Sequence, residues 1–440
     1  MKHFIDARLG SVAALSHPDL PALAEKSCLI VDLQGKMRVL AKLKVGADAD
    51  ALRNKLTQIV APAADVYWSN EVWIEEERPA PAKRAVFESA WREAKAEPPG
   101  QDGVFVLDRR LSKDAWLDAP FEPPWHLNDH TPPVISFYSF KGGVGRTTAV
   151  AAVAINAARS GKRVVVVDFD LEAPGVGSIL ASPGDPAPDL GVIDYLLERR
   201  LVPADALDIS EFYQTSADPA VVKEGEPIHV VAAGKLDNWY LEKLARINYE
   251  FLYASAAEAG ATESPLHQLL KSLRAKLKPD LILVDSRAGF HDLGGLSLSG
   301  IAHLQVLFGL NSAQSWAGLS LVVAHLGKEM VLSGKAQRGC AMVQTLAPPQ
   351  EPSRKEHVEN FKERSFEVFS ENYYDPPGPD GEWPMPDPEA AESPHFPAVL
   401  TWDNRVFGYS SVASVVDYLC EGEYRNLAAF ILDKVGRTLE

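Results

Sequence analysis

Eight consecutive residues, Lys141-Gly142-Gly143-Val144-Gly145-Arg146-Thr147-Thr148, combine three glycines, two cations and two hydroxyls. Glycines let neighbouring backbone N–H groups converge on one anion, so the chemistry this run fits is phosphate binding. The Thr147 hydroxyl falls where a phosphate-binding turn offers an oxygen to Mg²⁺. Carboxylates suited to the same cation follow apolar runs further along: Asp168 and Asp170 after VVVV, and Asp285 after LILV. A strand that delivers an Asp beside a phosphate loop is placed to hold Mg²⁺ or to position water. Bound phosphates, a divalent cation and a positioned water are the parts of phosphoryl transfer to water.

Positioning these groups requires a strand, a tight turn and a helix in succession. Val134–Phe140 reads as a buried strand, and AVAAVAINAARSG as an alanine-rich helix ended by Gly161, whose N-terminus adds partial positive charge at the turn. Strand and helix patterns then alternate through KRVVVVD, PIHVV, LILVD, IAHLQVLFGL and GCAMVQTLA. That alternation predicts an α/β fold with a doubly wound, mostly parallel sheet covered on both faces, its ligand at the carboxyl ends of the strands. His303, in an apolar run, reads as a hydrogen-bonded core histidine rather than a ligand. Residues 201–228 read as an acidic surface excursion, and Ser353–Asn372 as a charged, solvated helix.

Residues 1–125 read as a separate small α/β module. Ser27–Val45 suggests two strands around the turn Gln34-Gly35-Lys36, and Asp48–Val60 a helix with Leu52, Leu56 and Ile59 on one face. Strands over 64–74 and Val104–Leu107 and a helix over Ala85–Ala96 complete it. Tyr67, Trp68 and Trp73 fit either its core or a protein-binding face. A proline-rich linker over 126–133 leads into the second domain, 134–440. The segment 375–394, with seven prolines and six acidic residues, reads as an exposed acidic loop.

Set against the general P-loop pattern G-x-x-x-x-G-K-[ST], Phe140 replaces the first glycine and Arg146 the lysine, while Lys141 opens the turn. This arrangement resembles the deviant P-loop of the ParA/MinD family of ATPases, the SIMIBI class, written K-G-G-x-G-K-[ST], in a KGGVGR variant. The resemblance covers about residues 132–345. It implies a P-loop NTPase fold and a cytoplasmic, slowly hydrolysing ATPase that binds ATP and Mg²⁺, closes into an ATP-dependent homodimer and switches a partner or effector protein. On this resemblance Lys141, Asp170 and Arg146 are catalytic, with Lys141 reaching the other subunit's phosphates and Asp170 orienting the attacking water. Gly142, Gly143, Val144, Gly145, Arg146, Thr147 and Thr148 hold phosphates, and Thr147, Asp170 and Asp285 serve the metal. Asp285-Ser286-Arg287-Ala288-Gly289 resembles the family's D-x-P-A-G switch, in which the Gly289 amide senses the γ-phosphate. Asn311 and Gln344 are the family's candidate nucleotide contacts.

Two departures qualify the resemblance. Arg287 stands where the family has proline and fits a phosphate sensor, an inter-subunit contact or a surface ion pair. Arg146 is planar and longer than lysine, so hydrolysis is expected to be slow, on the order of 10⁻⁴–10⁻² s⁻¹ as in unassisted P-loop GTPases. A non-hydrolysing nucleotide-binding scaffold or sensor is the alternative, and a ParA/MinD-type positioning ATPase a further one. The KGGVGR variant also implies a bacterial signalling or phage-defence operon, whose partner protein the N-terminal module would engage.

Composition narrows the partners. A net charge of −16 argues against a surface for nonspecific DNA or anionic membrane. Three separated cysteines, Cys28, Cys340 and Cys420, offer no zinc or iron–sulfur spacing and suggest a reducing compartment. The absence of an N-K-x-D guanine-reading motif favours ATP over GTP. The terminal helix from Asn426 carries Asp433 and Glu440 with few cations, and so is expected to pack on the domain rather than on a membrane.

Overall fold

The computed structural model describes the chain except residues 1, 77–80, 99–102, 118–121, 182–188, 248–263, 334–338, 375–384, 410 and 440. The first half of the expected acidic loop therefore lies outside the described residues. The chain forms two compact units, Met1–Leu111 and Ser112–Glu440.

In the first unit, β1 (Ala24–Val31) and β2 (Met37–Leu43) form an antiparallel hairpin. Asp32 closes it by accepting hydrogen bonds from the amides of Gln34 and Lys36, while Gly35 supplies a positive φ of 79°. Strands β3 (Trp68–Glu75), β4 (Lys95–Ala96) and β5 (Val104–Asp108) extend the sheet to the order β3-β2-β1-β5-β4. Alternation along β1 divides the core: Leu29 and Val31 face the helices Phe4–Leu15 and Ala49–Ala64, and Cys28 and Ile30 face Phe87 of the helix Pro81–Glu93. Trp68 is buried in this core, whereas Trp73 and Tyr67 pack at its margin.

The second unit is built on eight strands: β6 (Val134–Ser139), β7 (Val164–Asp168), β8 (Gln214–Ser216), β9 (Ile228–Val231), β10 (Leu281–Asp285), β11 (Leu304–Gly309), β12 (Gly339–Ala347) and β13 (Ala398–Thr401). Their order is β13-β12-β11-β6-β10-β7-β9-β8, parallel throughout except for the β8–β9 pair. The excursion expected over 201–228 thus contributes an antiparallel edge strand. Val164 and Val166 point to one core and Val165 and Val167 to the other, so a strand covered on both faces must be apolar at every position. On one face the helix Arg146–Arg159 and the terminal helix Gly422–Leu439 pack side by side on the sheet, and Leu427, Ile431 and Val435 of the terminal helix join that core. His303 is buried as expected, its Nδ1 accepting from the Val134 amide. No helix among the described residues is long and apolar enough to cross a membrane.

The second unit begins earlier than the boundary expected at 125. The short helix Asp114–Leu117 packs on the helix Asp292–Ser299, and Trp116 Nε1 donates to the His291 carbonyl at 2.8 Å. Close approach is possible because Gly295 has no side chain; a Cβ there would lie 2.8 Å from that of Ala115.

A second close approach supports the phosphate-binding turn. Phe140, in the position a standard P-loop gives to glycine, lies against Gly318 of the helix Ala313–Ser333, where a Cβ would stand 2.1 Å from ring carbon Cγ. We expect Gly318→Ala to destabilise the protein by about 1–3 kcal/mol through overpacking, as read by urea unfolding. Phe140→Leu in the same chain should recover most of the loss, whereas an uncompensated double mutant would mean that the ring is not what the added methyl meets.

Candidate functional site

β6 lies between β10 and β11; the connection from β6 runs past β10 to β7, and the one from β10 runs back across β6 to β11. A crevice opens at such a switch point, beyond the carboxyl ends of the strands. The glycine turn occupies this crevice. Gly143 and Gly145 have φ of 73° and 80°, a left-handed backbone that glycine adopts without a Cβ penalty, and nothing stands within 4 Å of where either Cβ would be. Gly145 precedes the first residue of the helix Arg146–Arg159, so the turn presents its amides and the helix N-terminus together. Val144 is buried and anchors the turn in the core.

A cleft of about 510 Å³ lies over the turn. Gly142–Thr148 form its floor with Ser139, and Asp170, Ala173, Arg287 and Ala288 form one side. The opposite wall comes from Thr345, Leu346, Leu400–Asp403, Val406–Gly408 and Tyr424, which the sequence reading did not anticipate. A shift of register between Gln344 and Ala347 bulges β12 there and holds Leu346 at φ 53°. Bulges of this kind re-aim side chains beside sites. The only sequence signal for this wall was the aromatic content of FPAVLTW and the following loop, which has no motif spacing.

The carboxylates behave differently from one another. Asp168 is fully buried and accepts from the amides of Asp170 and Gly175, each at 3.0 Å, which shapes the loop between them. Burial first, and then the charge of Asp285, push its carboxyl up to about 8. Asp170 is also raised, by burial, against the opposing pull of Arg146.

Arg146 lines the floor of the cleft and is tied to the carboxylates beside it. Its Nε donates to Asp285 Oδ1 at 2.5 Å, Nη2 to Asp170 Oδ2 at 3.1 Å and Nη1 to Ser139 Oγ at 3.4 Å. Only 7% of the residue is exposed. Burial works against its charge, but the two carboxylates outweigh it and the guanidinium is held more firmly protonated than usual. Next to this group, Arg287 Nη1 lies 2.7 Å from Glu172 and 3.5 Å from Asp170, the ion-pair role among those considered for it.

The donor set fits Mg²⁺. Asp285, 1% exposed, keeps Oδ2 buried without a hydrogen-bond partner among the described residues. An orphaned buried carboxylate oxygen is costly unless a ligand or its water completes it. Thr147 lines the cleft, whereas Asp285 stands outside its lining and is joined to it through Arg146.

Four expected contacts are placed otherwise. Gln344 and Asn311 do not line the cleft; both donate to the His357 carbonyl, Gln344 at 3.2 Å and Asn311 at 3.4 Å, and so grip the helix Ser353–Phe369. The bulge after Gln344 gives its place at the cleft to Thr345 and Leu346. Gly289 donates its amide to the Ser139 carbonyl at 3.1 Å, leaving its neighbours Arg287 and Ala288 on the cleft. Lys141 is partly exposed and stands outside the cleft lining.

Fold and cradle together define a P-loop nucleotide-binding α/β domain. Residues 135–347 match the model of the CobQ/CobB/MinD/ParA nucleotide binding domain, and this part of the chain is similar to ParA/MinD-type P-loop domains. The septum site-determining protein MinD of Helicobacter pylori is 49% identical over 78 residues, a segment spanning 18% of this chain and 23% of that protein. Similar solved structures include MinD of Pyrococcus furiosus (18% identity, 70% of this chain, 99% of that one, TM-score 0.42). Another is pNOB8 ParA bound to nonspecific DNA (14% identity, 70% of this chain, 99% of that one, TM-score 0.44).

Removing the arginine should expose how much the site depends on it. Arg146→Ala leaves two buried carboxylates facing each other, and we expect a loss of about 3–5 kcal/mol, as for breaking other buried ion pairs. Urea unfolding without nucleotide measures it. A loss below about 1 kcal/mol, as for an exposed pair, would mean that the triad is solvated.

Proposed function

We propose that the second unit is an ATP-binding, slowly hydrolysing regulatory switch. The observation that carries this reading is the juxtaposition, at one sheet crevice, of the open glycine cradle with Thr147, Asp170 and Asp285. The amides of the turn and the helix N-terminus bind the phosphates. Thr147 and the free oxygen of Asp285 would hold Mg²⁺, which when bound supplies positive charge beside the β- and γ-phosphates. Asp170, its carboxyl raised by burial, accepts a hydrogen bond from the attacking water and orients it. The wall of Leu346, Trp402, Phe407 and Tyr424 offers apolar and aromatic surface to a base. Phosphoryl transfer needs mainly positioning and charge neutralisation, and these groups provide both.

In this reading ATP closes two copies of the chain face to face, with the partly exposed Lys141 of each reaching the partner's phosphates. The N-terminal unit engages a protein partner, plausibly encoded beside it in a bacterial signalling or defence operon. Arg146, held by both carboxylates, favours a second reading in which ATP is bound and not turned over.

Light scattering with ATP·Mg²⁺, with ADP and without nucleotide tests the switch: mass should double with ATP alone, and an unchanged mass removes the dimer model. Phosphate release separates the two readings. Asp170→Ala should lower turnover by on the order of 10²–10⁴ while ATP remains bound. Undetectable turnover in the unaltered chain, with ATP bound, selects the scaffold.

A further inference from the structure

Resting on the nucleotide-site reading above, we propose that Arg146 is a resident cation that takes over part of the divalent metal's charge at Asp285 and Asp170, so that this chain captures its nucleotide without requiring magnesium. Every nitrogen of the guanidinium is committed: Nε to Asp285, Nη2 to Asp170 and Nη1 to Ser139. Nη1 and Nη2 each keep a second N–H, but the group is anchored between the two carboxylates. The arginine therefore serves the carboxylates, while the backbone amides of the turn serve the ligand.

The electrostatic consequence follows from the charges that face the cleft. Asp170 on the cleft and Asp285 behind Arg146 bring two negative charges near a polyanion, and in a site of low polarity such repulsion is large. A divalent metal ordinarily relieves that repulsion. Here the buried guanidinium already relieves it, and Arg287, beside Asp170 and Glu172, adds a second cation at the same edge. The metal can still use the free Oδ2 of Asp285, yet it gains less there, because Oδ1 of the same carboxylate is paired.

A lysine at this position would behave differently. Its single nitrogen is a point charge on a flexible stem and cannot span two carboxylates as the planar fork does. Arg146→Lys should release Asp170 or Asp285 and restore a need for the metal.

Fluorescence titration with a methylanthraniloyl-ATP analogue, in saturating MgCl₂ or in EDTA, tests this on the full-length chain. The expected result is affinities within about threefold of each other for the unaltered protein and at least about tenfold apart for Arg146→Lys, tenfold being 1.4 kcal/mol. Strict magnesium dependence in the unaltered protein would overturn the inference and leave the nucleotide site standing, and this measurement does not depend on the variant folding. Equal indifference to magnesium in both proteins would remove Arg146 from the explanation. Failure of the analogue to bind under either condition would overturn the inference together with the nucleotide-site reading.

Discussion

The buried ion pair of Arg146 with Asp285 and Asp170 is the constraint on which the second unit is arranged. A guanidinium that is 7% exposed stays charged only if its partners replace the water it has lost. Those partners come from three places: Asp285 at the end of β10, Asp170 in the loop after β7, and Ser139 at the end of β6. The pair therefore ties three neighbouring strand ends to the first residue of the helix that follows the glycine turn. It also sets the polarity around the turn: Asp170 and Asp285 face a cation, and Asp168, away from the cleft lining, is pushed toward its neutral form.

Around that triad the chain separates rigid support from the surface offered to a ligand. The turn is supported by Val144 below it and by Phe140 against Gly318, and the helix behind it is buried along most of its length. Its glycines, by contrast, meet nothing on the cleft side. The far wall arrives from more than 250 residues later in the sequence, through β13, the loop that follows it and the first turn of the terminal helix. Tyr409 OH comes within 3.4 Å of Thr148 Oγ1, and Glu423 accepts from the Thr401 amide at 2.6 Å, so this wall is bonded to the turn and to the sheet.

The parallel sheet was legible because strands covered on both faces must be apolar at every position, and β6, β7 and β10 read that way without any partner in view. The glycine turn was legible because positive φ and close anion approach leave few other residue types possible. β8 was missed: three residues at an edge bury little and carry no pattern. The boundary was placed late because proline content marks flexible chain but does not reveal that Ala115 and Trp116 pack on the helix Asp292–Ser299.

Local chemistry, then, was determined by the sequence alone: a glycine turn and its hydroxyl, related by spacing along one strand–turn–helix unit, and carboxylates that each end an apolar strand. Direction and partnership were decided only by the tertiary structure. Which carboxylates hold Arg146 depends on which strands lie beside β6. Whether Gln344 or Leu346 reaches the cleft depends on one bulge in β12. Those outcomes arise from contacts between segments far apart in the chain, where no local spacing constrains which side chain meets which.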